Sequence, residues 1–206
     1  TTELFDFEDG ALTGWVTIDA DYDGYTWRNS KGYLDDINGY NGSNSFALSQ
    51  SYINDIGPLN PDNYLVTSRK YAITADSKIS FYACAQDEEY PYEHFGVAVS
   101  TTGNTSGSSF TTISEWTINA KGSRQGERGS RQSTWKKYEA DLSAYAGKEV
   151  YIAIRHFNCT DQYFLDIDDI EINIGNTSAD GYNGRWISTD GENWSDVLES
   201  IDDVDS

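Results

Sequence analysis

The sequence predicts an all-β protein of the two-sheet sandwich class. Short runs alternate apolar and polar residues, the segments between these runs are rich in Gly, Asn, Ser and Asp, and helical periodicity is nearly absent. About nine such runs fall within the first 175 residues, a number typical of a sandwich of two antiparallel sheets. The 14% aromatic content supplies large apolar surfaces for a packed core.

The predicted strands follow one another along the chain. Within residues 78–86, for example, Ile79, Phe81 and Ala83 share one face, as expected of a half-buried strand. Residues 142–146 form at most one helical turn, which Gly147 would close. The strands are predicted at residues 3–8, 15–18, 64–68, 78–86, 93–100, 110–118, 134–141, 149–157 and 163–174.

Charge and hydropathy exclude two classes of partner. The 34 acidic and 14 basic residues give a net charge of −20, which would repel the phosphates of nucleic acids. No run of 18 apolar residues exists, so the sequence predicts no membrane insertion. The chain begins at Thr1 without Met, and we expect a secreted or cell-surface fragment whose leader has been removed.

Two domains are expected, a sandwich over residues 1–175 and an extension over 176–206. The extension combines a linker with a hairpin-like segment that turns at Asp190 and Gly191. Cys84 and Cys159 lack metal-ligand spacing, and two alternatives remain open for them: one disulfide or two buried thiols.

Two long loops, residues 28–61 and 121–137, interrupt the strand pattern. Loops on a rigid scaffold are where binding surfaces usually lie, so we expect the first loop and the tyrosines Tyr90 and Tyr92 to form a recognition face. Packing of tyrosines beneath the loops is the alternative. The second loop holds six of the fourteen basic residues, which either attract an anionic partner or form an ordinary solvated surface.

The most specific local pattern is Asp19-Ala-Asp21-Tyr-Asp23-Gly24. Carboxylates at alternate positions followed by Gly concentrate oxygen ligands around one hard cation, and calcium is the natural occupant. The loop is not an EF-hand, because its twelfth position is Ser30 rather than Glu. A solvated acidic turn is the alternative interpretation.

A second acidic pattern lies in the last predicted strand. The core-facing set changes parity near Asp169, which predicts a β-bulge and places Asp169 inward beside Leu165 and Ile167. A buried carboxylate is costly unless it is paired or bound to metal. We therefore expect Glu8 of the first strand to meet Asp169 around one calcium ion, which would also hold the loop of Asp19. Hydrogen bonds from backbone amides or an ion pair with Arg155 are the alternative for Asp169.

Six ordered segments of the chain form one pattern: Phe7-Glu8 followed by Gly14-Trp15, TIDADYDGYTW at 17–27, LNPDNYL at 59–65, EHFGVAVSTTG at 93–103, RHFNCTD at 155–161 and LDIDDIEI at 165–172. This pattern resembles the cleaved adhesin family, the adhesin and haemagglutinin domains attached to gingipain-type proteases, and the related MAM-like modules. The resemblance covers residues 3–174. The loops 28–58 and 121–133 depart from the family pattern, so the identity of a ligand does not transfer.

The resemblance implies a jelly-roll β-sandwich of two antiparallel sheets, structural calcium, and adhesion to a host protein or glycan as one module of a larger multidomain protein. Glu8, Asp19, Asp21 and Asp169 match the calcium carboxylates by position, and the loop pattern adds Asp23. We thus expect a calcium-stabilised extracellular adhesion module. A structural spacer in a surface protein is the alternative.

Catalysis is the third hypothesis, and we expect no enzyme. Asp166-x-Asp168-x-x-Glu171 narrowly misses the E-x-D-x-x-E pattern of some sandwich glycosidases, in which paired carboxylates act as nucleophile and acid. Two His residues support few nucleophilic schemes, and His156 shares a face with Ile152 and Ile154, as a core histidine does.

Overall fold

The computed structural model describes residues 1–176 and confirms the all-β class. Three short 3-10 turns lie at Tyr40–Gly42, Gly107–Ser109 and Ser143–Tyr145. The predicted C-terminal hairpin lies outside the described residues. The strands are β1 (Thr2–Phe5), β2 (Trp15–Asp19), β3 (Arg28–Asn29), β4 (Ala47–Gln50), β5 (Tyr52–Ile53), β6 (Gly57–Pro58), β7 (Asp62–Thr67), β8 (Tyr71–Ala72), β9 (Lys78–Ala85), β10 (His94–Ser100), β11 (Thr111–Thr117), β12 (Lys136–Asp141), β13 (Glu149–Phe157) and β14 (Phe164–Asn173).

Two antiparallel sheets of six strands each form the sandwich. The first sheet has the order β12-β9-β14-β4-β3, with β1 paired to β14, and the second has the order β11-β10-β13-β7-β2, with β8 paired to β13. The register of β1 and β14 places Thr2 opposite Asn173 and Phe5 opposite Ile170. The two ends of the sandwich domain therefore lie side by side, as expected.

The main core lies between the two sheets and follows from the alternation of the strands. Every second residue of β9 and β10 points into it, including Phe81 and Phe95, which are fully buried and meet edge to face with ring centroids 6.0 Å apart. Burying one such side chain contributes roughly 1.5–3 kcal/mol. The core therefore makes the sandwich a rigid support for its loops.

The first long loop differs from the prediction, because it contributes β3 and β4 to the first sheet. All four residues of β4 are buried, including Ser49 and Gln50, so no alternation marks this strand in the sequence. Both faces are covered because a second apolar cluster packs on the outer side of the sheet. That cluster consists of Phe46, Leu48, Tyr163 and Phe164, with Leu34, Ile37, Tyr52 and Trp135 packed against it.

The bulge in β14 is confirmed, but the inward position of Asp169 is not. The pairing with β9 shifts register between Asp168 and Glu171, and Asp169 has a left-handed φ of 48°. At this point β14 exchanges its neighbour β4 for β1. The bulge absorbs the parity change, so Leu165 and Ile170 both reach the core while Asp169 stays half-buried beside it. The fully buried carboxylates of β14 are those of Asp166 and Asp168.

Candidate cation and ligand sites

The loop after β2 brings Asp19, Asp21 and Asp23 together. One oxygen from each carboxylate lies within 4.8 Å of the other two. A left-handed Tyr22 and Gly24, with φ of 56° and 84°, make the turn that folds the loop back. A backbone amide holds one oxygen of each carboxylate: Gly24 N donates to Asp19 Oδ2 at 2.8 Å, Asp62 N to Asp21 Oδ1 at 3.0 Å, and Tyr25 N to Asp23 Oδ1 at 2.8 Å.

Two of the remaining oxygens of this three-aspartate loop lack partners. Asp19 Oδ1 and Asp23 Oδ2 are buried atoms without a hydrogen-bond donor. Burial, together with the adjacent Asp23 and Asp19 carboxylates, raises the pKa of Asp21 to about 7. Buried, mutually repelling carboxylate oxygens that amides orient toward one point are a donor set that suits a hard cation such as calcium.

Glu8 and Asp169 lie in a different acidic group. The pKa of Asp169 is raised, first by burial and then by the charges of Asp6, Glu8 and Glu171. Both oxygens of Glu8 accept backbone hydrogen bonds, from the amides of Asn44 and Ser45 at 3.1 Å each. Glu8 thus fastens the loop before β4 to the N-terminal strand.

The five carboxylates expected to share one ion are therefore divided between two groups. Asp19, Asp21 and Asp23 follow a strand of the second sheet, whereas Glu8 and Asp169 lie where β1 and β4 meet β14 in the first sheet. The spacing of the three aspartates in the sequence predicted the first group correctly. The group of Glu8 and Asp169 depends on long-range strand pairing, which local sequence patterns do not specify. Arg155 does not pair with Asp169 either, since it forms a bidentate ion pair with Asp62 at 2.7 and 3.0 Å.

Tyr90 and Tyr92 are exposed to 36% and 41% and belong to one surface formed by three loops. The guanidinium carbon of Arg128 lies 4.2 Å from the ring centroid of Tyr90 and 3.8 Å from that of Tyr52. Gln162 accepts a hydrogen bond from Tyr92 N, and its own carbonyl accepts one from Arg128 Nη1, both at 3.0 Å. We call Tyr52, Tyr90, Tyr92 and Arg128 the tyrosine–arginine surface.

The second long loop is less positive than its sequence suggests. Three of its arginines form ion pairs with carboxylates: Arg124 with Asp87 at 2.8 Å, Arg128 with Asp161 at 3.1 Å and Arg131 with Glu88 at 3.2 Å. The Asp87 side chain is fully buried, so its pair with Arg124 anchors the loop to the sandwich. These three arginines therefore serve to attach the loop.

In the Asp166-x-Asp168-x-x-Glu171 triplet, two of the three carboxylates are not accessible to a substrate. Asp166 and Asp168 are 0% exposed beneath the outer loops. Burial raises the pKa of Asp166 well above its usual range, and Gln132 donates a hydrogen bond to its carboxylate at 3.0 Å. These groups fill the covered face of the first sheet instead of lining a cleft.

His156 forms a buried polar cluster with Glu93 and Cys159, which the sequence analysis did not anticipate. His156 Nε2 lies 2.7 Å from Glu93 Oε1 and 3.4 Å from Cys159 Sγ. Cys84 and Cys159 are both free thiols, and burial raises the pKa of each, so neither is activated as a nucleophile. The spacing His156-x-x-Cys159 was the available signal, but Glu93 is distant in sequence.

Comparison with known proteins decides the family. The model of the Cleaved Adhesin Domain matches residues 1–172, nearly the whole described sandwich. The chain belongs to the cleaved adhesin family. Among curated relatives of this family, gingipain R1 of Porphyromonas gingivalis is 41% identical over 195 residues, and hemagglutinin A of the same species is 38% identical over 198 residues. Each alignment covers 93% of the chain.

The cleaved adhesin chain spans about a tenth of the length of these relatives, 11% of gingipain R1 and 7% of hemagglutinin A. The K1 cleaved adhesin domain of Lys-gingipain from P. gingivalis W83 is 40% identical, with a TM-score of 0.71 over 85% of this chain and 99% of that one. The CBM27-1 module of Caldicellulosiruptor saccharolyticus, solved with mannohexaose, is 12% identical with a TM-score of 0.50 over 84% of this chain and 97% of that one, and it shares the fold. The jelly-roll class is thereby confirmed. In the described part of the cleaved adhesin chain, no helix is long and apolar enough to cross a membrane.

Proposed function

We propose that this cleaved adhesin domain is an extracellular adhesion module that binds a glycan or protein through the tyrosine–arginine surface and is stabilised by calcium. The observation that carries the proposal is the stack of Tyr52, Arg128 and Tyr90, in which Arg128 lies between the half-buried Tyr52 of β5 and the exposed Tyr90 of a separate loop. Family membership supports the adhesive role, and the larger gingipains and hemagglutinins support a place within a multidomain surface protein.

The tyrosine–arginine surface is suited to binding because it is held in place before a ligand arrives. Arg128 is fixed by Asp161 and by the carbonyl of Gln162, so its stacking keeps the rings of Tyr52 and Tyr90 in position. Rigid aromatic rings offer large contact areas at low entropic cost, to sugar rings as well as to protein side chains. The mannohexaose complex of the similarly folded CBM27-1 module makes a glycan the first ligand class to test.

Calcium would bind in the three-aspartate loop. Asp19 Oδ1, Asp21 Oδ2 and Asp23 Oδ2 are the oxygens that the loop amides leave free. A divalent ion there would offset the repulsion among the carboxylates and fix the loop that joins β2 to β3. Its role in the module is structural.

A second calcium position is proposed between Glu8 and Asp169. The carboxylates of Asp6 and Glu171 add to the negative charge around Asp169, which a cation would neutralise. An ion at this position would join the first and last strands of the sandwich where β14 exchanges partners. Glu8 can keep its amide hydrogen bonds meanwhile, because each carboxylate oxygen has a second lone pair.

The test is binding to a glycan array and to immobilised host extracellular proteins in saturating calcium. Wild-type protein is compared with the double variant Tyr90→Ala and Tyr92→Ala. Val16→Ala is the control, because Val16 is 37% exposed on β2, outside both the tyrosine–arginine surface and the three-aspartate loop. We expect the double variant to lose about tenfold or more in affinity, as truncation of aromatic anchors does. Unchanged binding would remove this surface from the proposal, and blank results for wild type would favour the spacer.

A further inference from the structure

The cluster of Glu93, His156 and Cys159 joins three separate pieces of the sandwich. Glu93 directly precedes β10, His156 lies near the end of β13, and Cys159 follows three residues later in the connection to β14. Glu93 and His156 are fully buried, whereas Cys159 is partly exposed. The cluster thus has a closed side in the core and an open side at the surface.

Hydrogen bonds to the outer atoms of His156 and Glu93 orient their other polar atoms toward the centre of the cluster. His156 Nδ1 lies 2.7 Å from Ser49 Oγ, and a proton on Nδ1 leaves the lone pair of Nε2 directed at the cluster. Glu93 Oε2 accepts hydrogen bonds from Ser51 Oγ at 2.9 Å and Tyr163 N at 3.0 Å, which leaves Oε1 directed at the same point. Supporting contacts of this kind are typical of the groups that hold a metal's ligands.

The separations among the three facing atoms are close to those around a tetrahedral zinc ion. With Zn–N and Zn–O distances near 2.1 Å and Zn–S near 2.3 Å, tetrahedral angles require roughly 3.6 Å from sulfur to either partner and roughly 3.4 Å from nitrogen to oxygen. Cys159 Sγ lies 3.4 Å from His156 Nε2 and 3.6 Å from Glu93 Oε1. Only the pair of Glu93 and His156, now 2.7 Å apart, must open, by about 0.7 Å.

We propose that Glu93, His156 and Cys159 form a zinc site distinct from the calcium loop. The set of one oxygen, one imidazole nitrogen and one sulfur favours zinc over calcium or magnesium, which prefer oxygen ligands alone. A carboxylate, a thiolate and a neutral imidazole carry two negative charges, so Zn²⁺ makes the buried site neutral. A water molecule on the partly exposed side of Cys159 completes the tetrahedron.

The first test is titration of the chelator-stripped, reduced full chain with Zn²⁺, and with Co²⁺ as a spectroscopic substitute. We expect one tight equivalent of Zn²⁺, a higher thermal midpoint, and a near-ultraviolet thiolate-to-cobalt absorption band. Cys159→Ser should weaken zinc binding by at least about a hundredfold and abolish the band, since loss of an indirect supporting contact already costs 10–100-fold. The chain contains two Cys and two His, so Cys84→Ser and His94→Asn are the matched controls and should keep both signals.

A second test needs no substitution. Zn²⁺ should slow alkylation of Cys159 in the wild-type chain by about tenfold or more, because a coordinated thiolate is shielded, and Cys84 is fully buried and serves as an internal reference. An alkylation rate that Zn²⁺ does not change would overturn the zinc site, as would a cobalt band that persists in Cys159→Ser. The calcium-induced thermal shift should be the same in Cys159→Ser and wild type, which separates this site from the calcium proposal.

Discussion

Replacing Asp21 with Asn distinguishes a calcium-binding loop from an ordinary acidic turn, because the two respond differently to calcium. Asn keeps an oxygen that can accept the hydrogen bond from Asp62 N, so the loop retains its backbone contact, but one of three carboxylate charges is lost. Without calcium the variant should be at least as stable as wild type, because the crowding that raises the pKa of Asp21 is relieved. With calcium the order should reverse.

The expected size follows from ligand binding to the folded state alone. Calcium at a hundredfold excess over its dissociation constant stabilises wild type by about 2.7 kcal/mol, which corresponds to roughly 5–11 °C for a chain of this size. If the loss of one carboxylate weakens calcium tenfold, the same concentration stabilises the variant by only about 1.4 kcal/mol, or roughly 3–6 °C.

The assay is thermal unfolding in chelator and in saturating calcium, with Asp36→Asn as the control. Asp36 is an exposed aspartate outside the three-aspartate loop, so its calcium shift should match wild type. A calcium shift of the same size in Asp21→Asn and wild type would refute the assignment of the ion to this loop.

Three further outcomes follow from the structure. Burial raises the pKa of Asp168 to about 7 from an ordinary 3.8, so the folded state holds this proton more tightly than the unfolded state. The free energy of unfolding, measured by urea titration in chelator, should therefore rise as the pH falls from 8 toward 4. A fall over that range would contradict the burial of Asp168. Gly129→Ala should destabilise the chain and displace the second loop, because a methyl group at this left-handed position, φ +87°, collides with the Tyr163 ring; an unchanged urea midpoint would be inconsistent with that contact. Arg128→Ala should cost about 1–2 kcal/mol through its two stacked tyrosines and its pair with Asp161, whereas a loss below about 0.3 kcal/mol would show that the stack is not stabilising.

The strands that the sequence predicts well carry a period of two in the sequence itself, even where both of their faces are buried. Strands β9 and β10 alternate cleanly, and their core residues Phe81 and Phe95 appear where the period of two places them. Strand β4 escaped prediction because its short sequence, Ala-Leu-Ser-Gln, does not alternate, while a covering layer of loop residues buries its second face. That layer is a tertiary feature, and no local periodicity reports it.

The candidate sites also differ in whether their residues are close together in the sequence or brought together only by the fold. The three-aspartate loop is local, so spacing alone brought Asp19, Asp21 and Asp23 together correctly. The predicted burial of Asp169 depended on the exact position of the bulge, because a shift of one residue exchanges the environments of Asp168 and Asp169. The partners of Arg128 and His156 come from distant loops, and pairwise contacts of this kind are fixed by the fold.

Calcium binding by the three-aspartate loop can be seen directly in a crystal structure of the chain grown with calcium, with anomalous scattering recorded. We expect an anomalous peak within 2.3–2.6 Å of Asp19 Oδ1, Asp21 Oδ2 and Asp23 Oδ2, as calcium–oxygen distances require. A loop that holds only water at ordinary hydrogen-bond distances, with no anomalous signal, would contradict this expectation.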